Sequence, residues 1–248
     1  MRRLPSEFEG LLTPRGRSLL AGNDPAAGIL QERRFIALSN VVDPLKAEGA
    51  RLLLEKHLLP LLDVMDQPIP PDALQGMTKN YAERLPKSVR VQTAYFDGPR
   101  ERAFDAAGKI GLIEMMKSES FRAFAQVLAG TALRSRWGMQ VLCYGPGDYT
   151  GPHNDHHPED PEAADGYVDV HISLTGEAVA HHHLVYEQDG HLSRMTNVAT
   201  LGGVSAYRLP FWHYTTPLAA KPGREDDARR WLLLGTFLFD RRRRTSRA

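Results

Sequence analysis

A histidine and an aspartate two residues apart, His153 and Asp155, follow a Gly/Pro turn at the end of the apolar run 139–144. Side chains two apart on an extended backbone point to the same side, so both can reach one metal ion. Imidazole and carboxylate are common ligands of divalent transition metals. The same residue types are equally typical of a polar surface loop. This segment alone therefore leaves half of a metal site and a solvated loop as alternatives.

A third ligand is offered by His213, which lies 60 residues after His153 at the end of a strand-like run. Two histidines and one carboxylate form a facial triad, which leaves coordination positions open for substrate and oxygen. Taken alone, His213 has the surroundings of a core histidine, because Trp212 and Tyr214 flank it. Only the two-residue spacing favours Asp155 over the other potential ligands of the same loop, which are His156, His157, Glu159 and Asp160.

Two arginines, Arg229 and Arg230, open the apolar run 231–240, which has the composition of a buried strand. An unpaired charge at the mouth of such a strand is costly, so a partner is expected. A planar guanidinium is suited to two-point binding of a carboxylate. That carboxylate could belong to a ligand. The alternative is an ordinary pair of arginines at a strand entry, either solvated or in a salt bridge with Glu225, Asp226 or Asp227.

Residues 167–174 alternate between apolar and polar side chains. Val168, Val170, Ile172 and Leu174 share one face of the predicted strand, and Tyr167, Asp169, His171 and Ser173 share the other. The polar face lines a cavity or meets solvent, and the pattern does not distinguish the two. Three consecutive histidines follow at 181–183, of which His182 is expected to face away from its neighbours. We interpret this triplet as pocket wall and surface in preference to a second metal site.

The composition restricts the class of protein. The chain has 248 residues, a net charge of +1 and 42% hydrophobic residues, which fits one large domain or one domain with an extension. Near-neutral charge gives no general reason to expect nucleic acid as a partner. The single cysteine, Cys143, excludes an internal disulfide and suits a reducing compartment. With no signal peptide and no apolar run long enough to span a membrane, a soluble cytoplasmic protein is expected.

The order of elements predicts an α+β fold. A strand over 35–42 precedes a helix that starts at Asp43-Pro44, and Ser118 is expected to cap a later helix that ends at Gly130. After residue 137, short strands separated by turns indicate a sandwich or barrel. We predict an irregular lead-in over 1–30, a single domain over 31–240 and a basic tail over 241–248. The domain divides into a strand and helix extension (31–137) and a β core (138–240).

The ordered set of motifs resembles the iron(II)- and 2-oxoglutarate-dependent dioxygenases, in particular their prolyl-hydroxylase-like branch. The resemblance covers residues 35–240, and its motifs are Tyr144-Gly145, His153-Asn154-Asp155, the segment 213–217 and Arg230. It implies a double-stranded β-helix core of the jelly-roll or cupin-like type. It further implies that His153, Asp155 and His213 bind iron and that Arg230 holds the distal carboxylate of 2-oxoglutarate. Arg229 is the alternative, and Tyr144 and His171 are expected to line the co-substrate pocket.

The function implied by this resemblance is hydroxylation of a substrate with O2, which releases succinate and CO2. Ascorbate is compatible with this function as a further cofactor. A peptide or protein residue and a small molecule are both compatible substrates, whereas nucleic acid and a membrane are not expected. The oligomeric state is not indicated. Two other classes stay open, a cupin-like metal-dependent enzyme that needs no 2-oxoglutarate and a non-catalytic binding barrel.

Overall fold

The computed structural model describes residues 2–68, 88–96, 98–99, 101–155, 163 and 166–240, without the side chains of 135–137. The basic tail over 241–248 and the alternative ligands His156, His157, Glu159 and Asp160 lie outside the described residues. In the part of the chain that is described, none of the helices combines the length and the apolar composition needed to cross a membrane.

The described chain contains five α-helices and thirteen strands, in addition to short 3-10 segments. The helices are α1 (Pro14–Leu20), α2 (Pro44–His57), α3 (Phe104–Lys109), α4 (Leu112–Met116) and α5 (Glu119–Ala129). The strands are β1 (Phe35–Leu38), β2 (Asp63–Gln67), β3 (Val89–Tyr95), β4 (Leu133–Tyr144), β5 (Tyr149–Thr150), β6 (Tyr167–Thr175), β7 (Val179–His181), β8 (His183–Gln188), β9 (His191–Asn197), β10 (Leu201–Leu209), β11 (His213–Thr215), β12 (Ala219–Ala220) and β13 (Arg230–Phe239).

All strand pairs are antiparallel. The main sheet has the order β1-β10-β6-β13-β4-β3-β2, with β5 pairing β3. A second sheet has the order β11-β8-β9, and β12 pairs β7. Strand β13 lies between β4 and β6, so that Arg230 faces Tyr144 on one neighbour and Thr175 on the other. Of the residues expected to do chemistry, Arg230, Tyr144 and His171 therefore lie on central strands of the main sheet, whereas His213 begins β11 of the second sheet.

Alternation along these strands separates the hydrophobic core from a cavity. Val168 and Ile172 of β6 are fully buried in the main core, together with Val141 of β4 and Leu233 of β13. Helix α5 supplies the other side of this core, to which Phe121 contributes. The opposite side chains of the same strands line the cavity, as described below. Because side-chain direction alternates along a strand, one face of the sheet packs on the helices and the other is left for a site.

Two predicted helix caps are confirmed. The Oδ1 atom of Asp43 accepts hydrogen bonds from the backbone N–H groups of Leu45 and Lys46 at 3.0 and 3.1 Å. The Oγ atom of Ser118 accepts from the N–H of Phe121 at 3.3 Å. Both caps satisfy N–H groups that lack a partner within the helix.

The prediction of an irregular lead-in over 1–30 was wrong. This segment forms a 3-10 turn (Phe8–Leu11) and helix α1, whose N-cap Thr13 accepts a hydrogen bond from the N–H of Gly16. The ring of Phe8 is fully buried, with its centroid 5.0 Å from that of Phe121 and 5.2 Å from that of Phe124. The Gly, Pro and Arg content suggested a loop, but the apolar residues between them complete the core beneath α5. The remaining domain boundaries stay a prediction.

Candidate active site

Two histidines that are distant in sequence are held side by side. His153 and His213 form an antiparallel bridge, in which each backbone N–H donates to the other residue's carbonyl at 3.0 and 2.9 Å. Their ring centroids are 4.2 Å apart. The Oδ2 atom of Asp155 lies 3.2 Å from Nε2 of His153 and 3.7 Å from Nε2 of His213. The three side chains predicted as metal ligands thus converge on one point.

Both histidine rings are oriented by carbonyl groups of their own segments. Nδ1 of His153 is 2.7 Å from the Gly151 carbonyl, and Nδ1 of His213 is 3.0 Å from the Phe211 carbonyl. A carbonyl oxygen only accepts, so Nδ1 carries the proton in each ring and donates it. The lone pair is then on Nε2, the atom that faces Asp155. This is the tautomer that a metal-binding histidine needs, with its second nitrogen held by a backbone acceptor.

The backbone conformation of Asp155 differs from the extended strand that the two-residue spacing predicts. Its φ angle is +49°, in the left-handed region, so the backbone from His153 to Asp155 is not a continuous strand. Aspartate is one of the residue types that tolerate this conformation. The Tyr167 hydroxyl donates to the Asp155 carbonyl at 2.8 Å and ties this turn to strand β6. The predicted convergence is present, but a turn produces it, and the alternation of a strand does not.

The donor atoms fit a first-row transition metal. One ligand atom from each of His153, Asp155 and His213 lies within 4.8 Å of the other two. Two imidazoles and one carboxylate on the same side of an ion correspond to the facial triad typical of non-haem iron(II). These three residues, with the proton positions just described, could hold iron without a change of tautomer.

The second feature is a buried cation at the start of β13. Arg230 is 2% exposed, and burial lowers the pKa of its guanidinium. Its Nε donates to Ser173 Oγ at 3.0 Å and its Nη1 to His182 Nδ1 at 3.2 Å. The guanidinium carbon lies 5.8 Å from the centre of the Tyr144 ring. Among the described residues no carboxylate pairs with Arg230, so this charge is buried with neutral partners.

Arg229 faces the other way. Its Nη1 donates to the Asp226 backbone carbonyl at 2.9 Å, and its side chain is only partly buried. It borders a separate surface cavity that also contacts Cys143 and Asp148. Of the two candidate arginines, only Arg230 lies on the side of the strand that faces His153 and His213.

Tyr144 and His171 lie in the same cavity as the triad and Arg230. Its volume is about 480 Å³. The Tyr144 hydroxyl is 2.9 Å from Thr150 Oγ1, and burial raises the pKa of this phenol. Burial, followed by the charge of Arg230, lowers the pKa of His171 well below its usual value, so its ring is neutral. That ring lies 4.4 Å from the ring of Tyr207.

The polar face of β6 therefore lines a cavity and is not exposed to solvent. Tyr167, Asp169 and His171 contact the cavity, while Ser173, next on the same face, holds Arg230. The alternation of residues 167–174 predicts Ser173 on this face but not its hydrogen bond with Arg230. A buried arginine needs acceptors, and a hydroxyl on the polar face of a neighbouring strand was the available signal.

His182 is the other residue whose role the sequence did not reveal. As predicted, it faces away from its neighbours: it is fully buried, whereas His181 is exposed and His183 partly exposed. The rings of His181 and His183 lie together on the outer side, with centroids 4.9 Å apart. The alternation of facing was readable from the triplet, but the contact of His182 with Arg230 across 48 residues was not.

Comparison with known proteins supports this architecture. No family model matches the chain, and no curated protein matches it in sequence. Several solved structures are similar to the chain. A prolyl-4-hydroxylase of Pseudomonas putida is 14% identical, with 90% of this chain and 99% of that chain covered and a TM-score of 0.56. A 2OG-Fe(II) oxygenase family oxidoreductase of Burkholderia pseudomallei is 15% identical, with 90% of each chain covered and a TM-score of 0.54. A prolyl hydroxylase of Trichoplax adhaerens, in complex with a peptide fragment of the hypoxia inducible factor oxygen degradation domain, is 13% identical, with 94% of each chain covered and a TM-score of 0.52.

At these identities the likeness is one of fold. The chain has the double-stranded β-helix fold of the iron(II)- and 2-oxoglutarate-dependent oxygenases, with additional helices packed on its main sheet, and the predicted α+β class is confirmed. Because one fold serves many chemistries, the activity must be argued from the site.

Proposed function

We propose that this chain is an iron(II)- and 2-oxoglutarate-dependent dioxygenase that hydroxylates a peptide residue or a small molecule and releases succinate and CO2. The observation that supports this most directly is one cavity that contains both a candidate metal-ligand triad and a buried guanidinium that no carboxylate pairs with among the described residues. A metal site alone would fit many barrels. The added cation favours a co-substrate that carries an anionic group.

In this proposal His153, Asp155 and His213 hold iron(II). The carbonyls of Gly151 and Phe211 keep both imidazoles in the coordinating tautomer, so little reorganisation is needed when the ion binds. When bound, the iron supplies the redox chemistry that couples decarboxylation of 2-oxoglutarate by O2 to oxidation of a substrate C–H bond. Asp155, as a carboxylate ligand, favours hydroxylation over halogenation, because related halogenases lack it.

Arg230 binds the distal carboxylate of 2-oxoglutarate in this proposal. A guanidinium whose Nε and Nη1 already meet neutral acceptors has remaining N–H groups for a carboxylate, which cancels the buried charge. The binding energy comes from pairing a buried charge for which the described residues supply no carboxylate. Tyr144 and His171 form the walls beside this group, and both are neutral near pH 7 because burial opposes their charged forms.

The rest of the cavity wall positions the reactants and keeps water out. Leu142, Leu232 and Leu234 line it on the strands that carry Tyr144 and Arg230. An apolar wall limits side reactions of a reactive oxidant with solvent. The substrate is assigned only as a class. The Trichoplax prolyl hydroxylase was solved with a peptide, and the near-neutral charge of the present chain gives no reason to prefer nucleic acid.

The test is conversion of 2-oxoglutarate to succinate by purified protein supplied with iron(II), ascorbate and O2. We expect succinate to form slowly without substrate and to require both iron and O2. A substrate screen by mass spectrometry should then find a product heavier by one oxygen atom. Tight iron binding without any consumption of 2-oxoglutarate would contradict the proposal and favour a cupin-like enzyme. Failure to retain iron would favour a non-catalytic barrel.

A further inference from the structure

The contact between Arg230 and His182 has a defined polarity. Arginine has only donors, so Nη1 donates and Nδ1 of His182 accepts across 3.2 Å. The imidazole is therefore neutral, with its proton on Nε2. Burial, followed by the charge of Arg230, lowers the pKa of His182 well below its usual value, while the Thr216 backbone opposes this to a smaller extent. His182 is thus an acceptor that stabilises the guanidinium without cancelling its charge.

Ser173 has the same character. Its Oγ donates to the Val198 carbonyl at 2.9 Å, so towards Arg230 it acts as the acceptor for Nε at 3.0 Å. Two neutral acceptors therefore fix Nε and Nη1, two of the three nitrogens of one planar group. A guanidinium held at two nitrogens has little freedom to rotate, and its remaining donors keep one direction.

His182 is itself held in place. It lies between β7 and β8, where its backbone N–H donates to Asn197 Oδ1 at 3.3 Å and its carbonyl accepts from the N–H of Val198 at 2.9 Å. Its ring centroid is 4.7 Å from that of Tyr144, which also borders Arg230. The side chain is completely buried. Such a residue can define where Arg230 points.

We propose that His182 is a positioning residue for Arg230, which acts as a neutral acceptor that aims the guanidinium at the co-substrate and leaves its charge available. This inference rests on the proposed function, because the co-substrate is taken to be 2-oxoglutarate. The neutrality is the essential property. A carboxylate at position 182 would pair with Arg230 internally and compete with the bound anion, whereas an apolar side chain would release Nη1.

Three substitutions separate these effects. His182→Asn places an amide oxygen near the position of Nδ1 and keeps a neutral acceptor. His182→Asp has nearly the same shape but carries a charge. His182→Leu removes the acceptor and keeps an apolar side chain. His181→Ala is the matched control, because His181 is the adjacent histidine and its ring is exposed on the opposite side.

The experiment is anaerobic calorimetric titration of the iron-loaded full chain with 2-oxoglutarate, alongside separate measurement of the iron dissociation constant. We expect His182→Leu and His182→Asp to weaken 2-oxoglutarate binding by about tenfold or more, the scale of a hydrogen bond to a charged group. His182→Asn should stay within about threefold of wild type, a difference well below that scale. The control should equal wild type, and iron affinity should not change in any variant that retains its thermal unfolding transition.

The outcomes are distinguishable. If wild type binds iron but not 2-oxoglutarate, the proposed function fails and this inference with it. If wild type binds 2-oxoglutarate and His182→Leu binds it equally well, only the role of His182 is overturned. If His182→Asn binds 2-oxoglutarate as weakly as His182→Leu, the imidazole ring matters and its acceptor atom does not, which also contradicts the proposal. If His182→Asp binds as well as His182→Asn, neutrality is not the selected property.

Discussion

His153 and His213 are joined by two reciprocal backbone hydrogen bonds of 3.0 and 2.9 Å. This pairing fixes the spacing of the two candidate ligands, and Nε2 of both rings lies beside the Asp155 carboxylate. The candidate metal centre is therefore built on the backbone pairing that links the loop after β5 to β11. Rigid placement of this kind is what a preformed metal site requires.

Substitution of Asp155 should remove the metal. We expect Asp155→Ala to weaken iron(II) binding by about 100-fold or more, since loss of an outer partner of a ligand already costs about 10- to 100-fold. Iron content after dialysis, measured by elemental analysis, gives the result. Asp189→Ala is the matched control, because Asp189 also has a positive φ, +55°, but is exposed between β8 and β9. Equal iron content in the two variants would refute the ligand assignment.

Substitution of Arg230 by an apolar residue should abolish 2-oxoglutarate binding and stabilise the ligand-free protein. Arg230→Met removes a buried charge that has neutral partners, so we expect the protein without ligands to gain stability. The gain should be smaller than the about 1–4 kcal/mol seen when a whole buried ion pair is replaced by apolar residues, because Ser173 and His182 lose their donor. The thermal midpoint should rise by about 2–4 °C for each kcal/mol. Addition of 2-oxoglutarate should raise the midpoint of iron-loaded wild type but not of this variant.

Arg229→Met is the control for this experiment. Arg229 is partly exposed on the outer side and bonds a backbone carbonyl, so both its stability and its response to 2-oxoglutarate should match wild type. If Arg229→Met loses the response and Arg230→Met keeps it, the anion-binding role belongs to Arg229.

The site was predictable from the sequence where local patterns decide it. The alternation of residues 167–174 predicted that Val170 and Ile172 are buried and that His171 lies on the other face, and both statements hold. The position of Arg229 and Arg230 at the opening of an apolar strand predicted that an arginine there needs a partner, and Arg230 is indeed buried with two acceptors. These patterns depend on strand periodicity and on the cost of burying charge, which need no tertiary information.

What the sequence did not reveal depends on contacts between distant segments. The hydrogen bond between His182 and Arg230 requires that the junction of β7 and β8 lies near the start of β13, which no local pattern encodes. The turn at Asp155 is held by a hydrogen bond from the Tyr167 hydroxyl, 12 residues further along the chain. The N-terminal segment was misread because its helix is short and is stabilised by tertiary burial of Phe8 and Leu19 more than by propensity.

The N-terminal segment is therefore expected to be essential for stability. Phe8→Ala should lower the free energy of unfolding by about 3–5 kcal/mol, because it leaves a cavity against Phe121 and Phe124. Urea unfolding followed by circular dichroism measures the change. Leu45→Ala, at a side chain that is 86% exposed, should change it by less than about 0.5 kcal/mol. If Phe8→Ala lowers the free energy of unfolding by less than about 1 kcal/mol, which is close to the effect of a surface substitution, the segment contributes little to the core.

Acid should destabilise the protein through its buried histidines. The folded-state pKa of His182 lies well below its usual value of about 6.5 because of burial and the charge of Arg230. Below pH ~6.5 the unfolded state binds a proton that the folded state does not, so stability falls as the pH falls towards the folded-state pKa. Each such histidine contributes about 1.4 kcal/mol per pH unit in this window.

His182→Asn should reduce the slope of the free energy of unfolding against pH by the contribution of one histidine, because asparagine does not titrate. The free energy of unfolding of metal-free protein at several pH values between about 5 and 7 provides the measurement. His181→Ala, at an exposed ring, should keep the wild-type slope. A His182→Asn slope identical to that of wild type would show that His182 is protonated as readily in the folded as in the unfolded state.

We infer that one cavity binds a metal through three side chains and a co-substrate carboxylate through Arg230. Anaerobic titration of the metal-free protein with iron(II) and then with 2-oxoglutarate, followed by visible absorption, tests it most directly. We predict one iron per chain and a new charge-transfer band that appears only when 2-oxoglutarate is added and is lost in Asp155→Ala. One bound iron with no new band at saturating 2-oxoglutarate would contradict the binding of this co-substrate beside the metal.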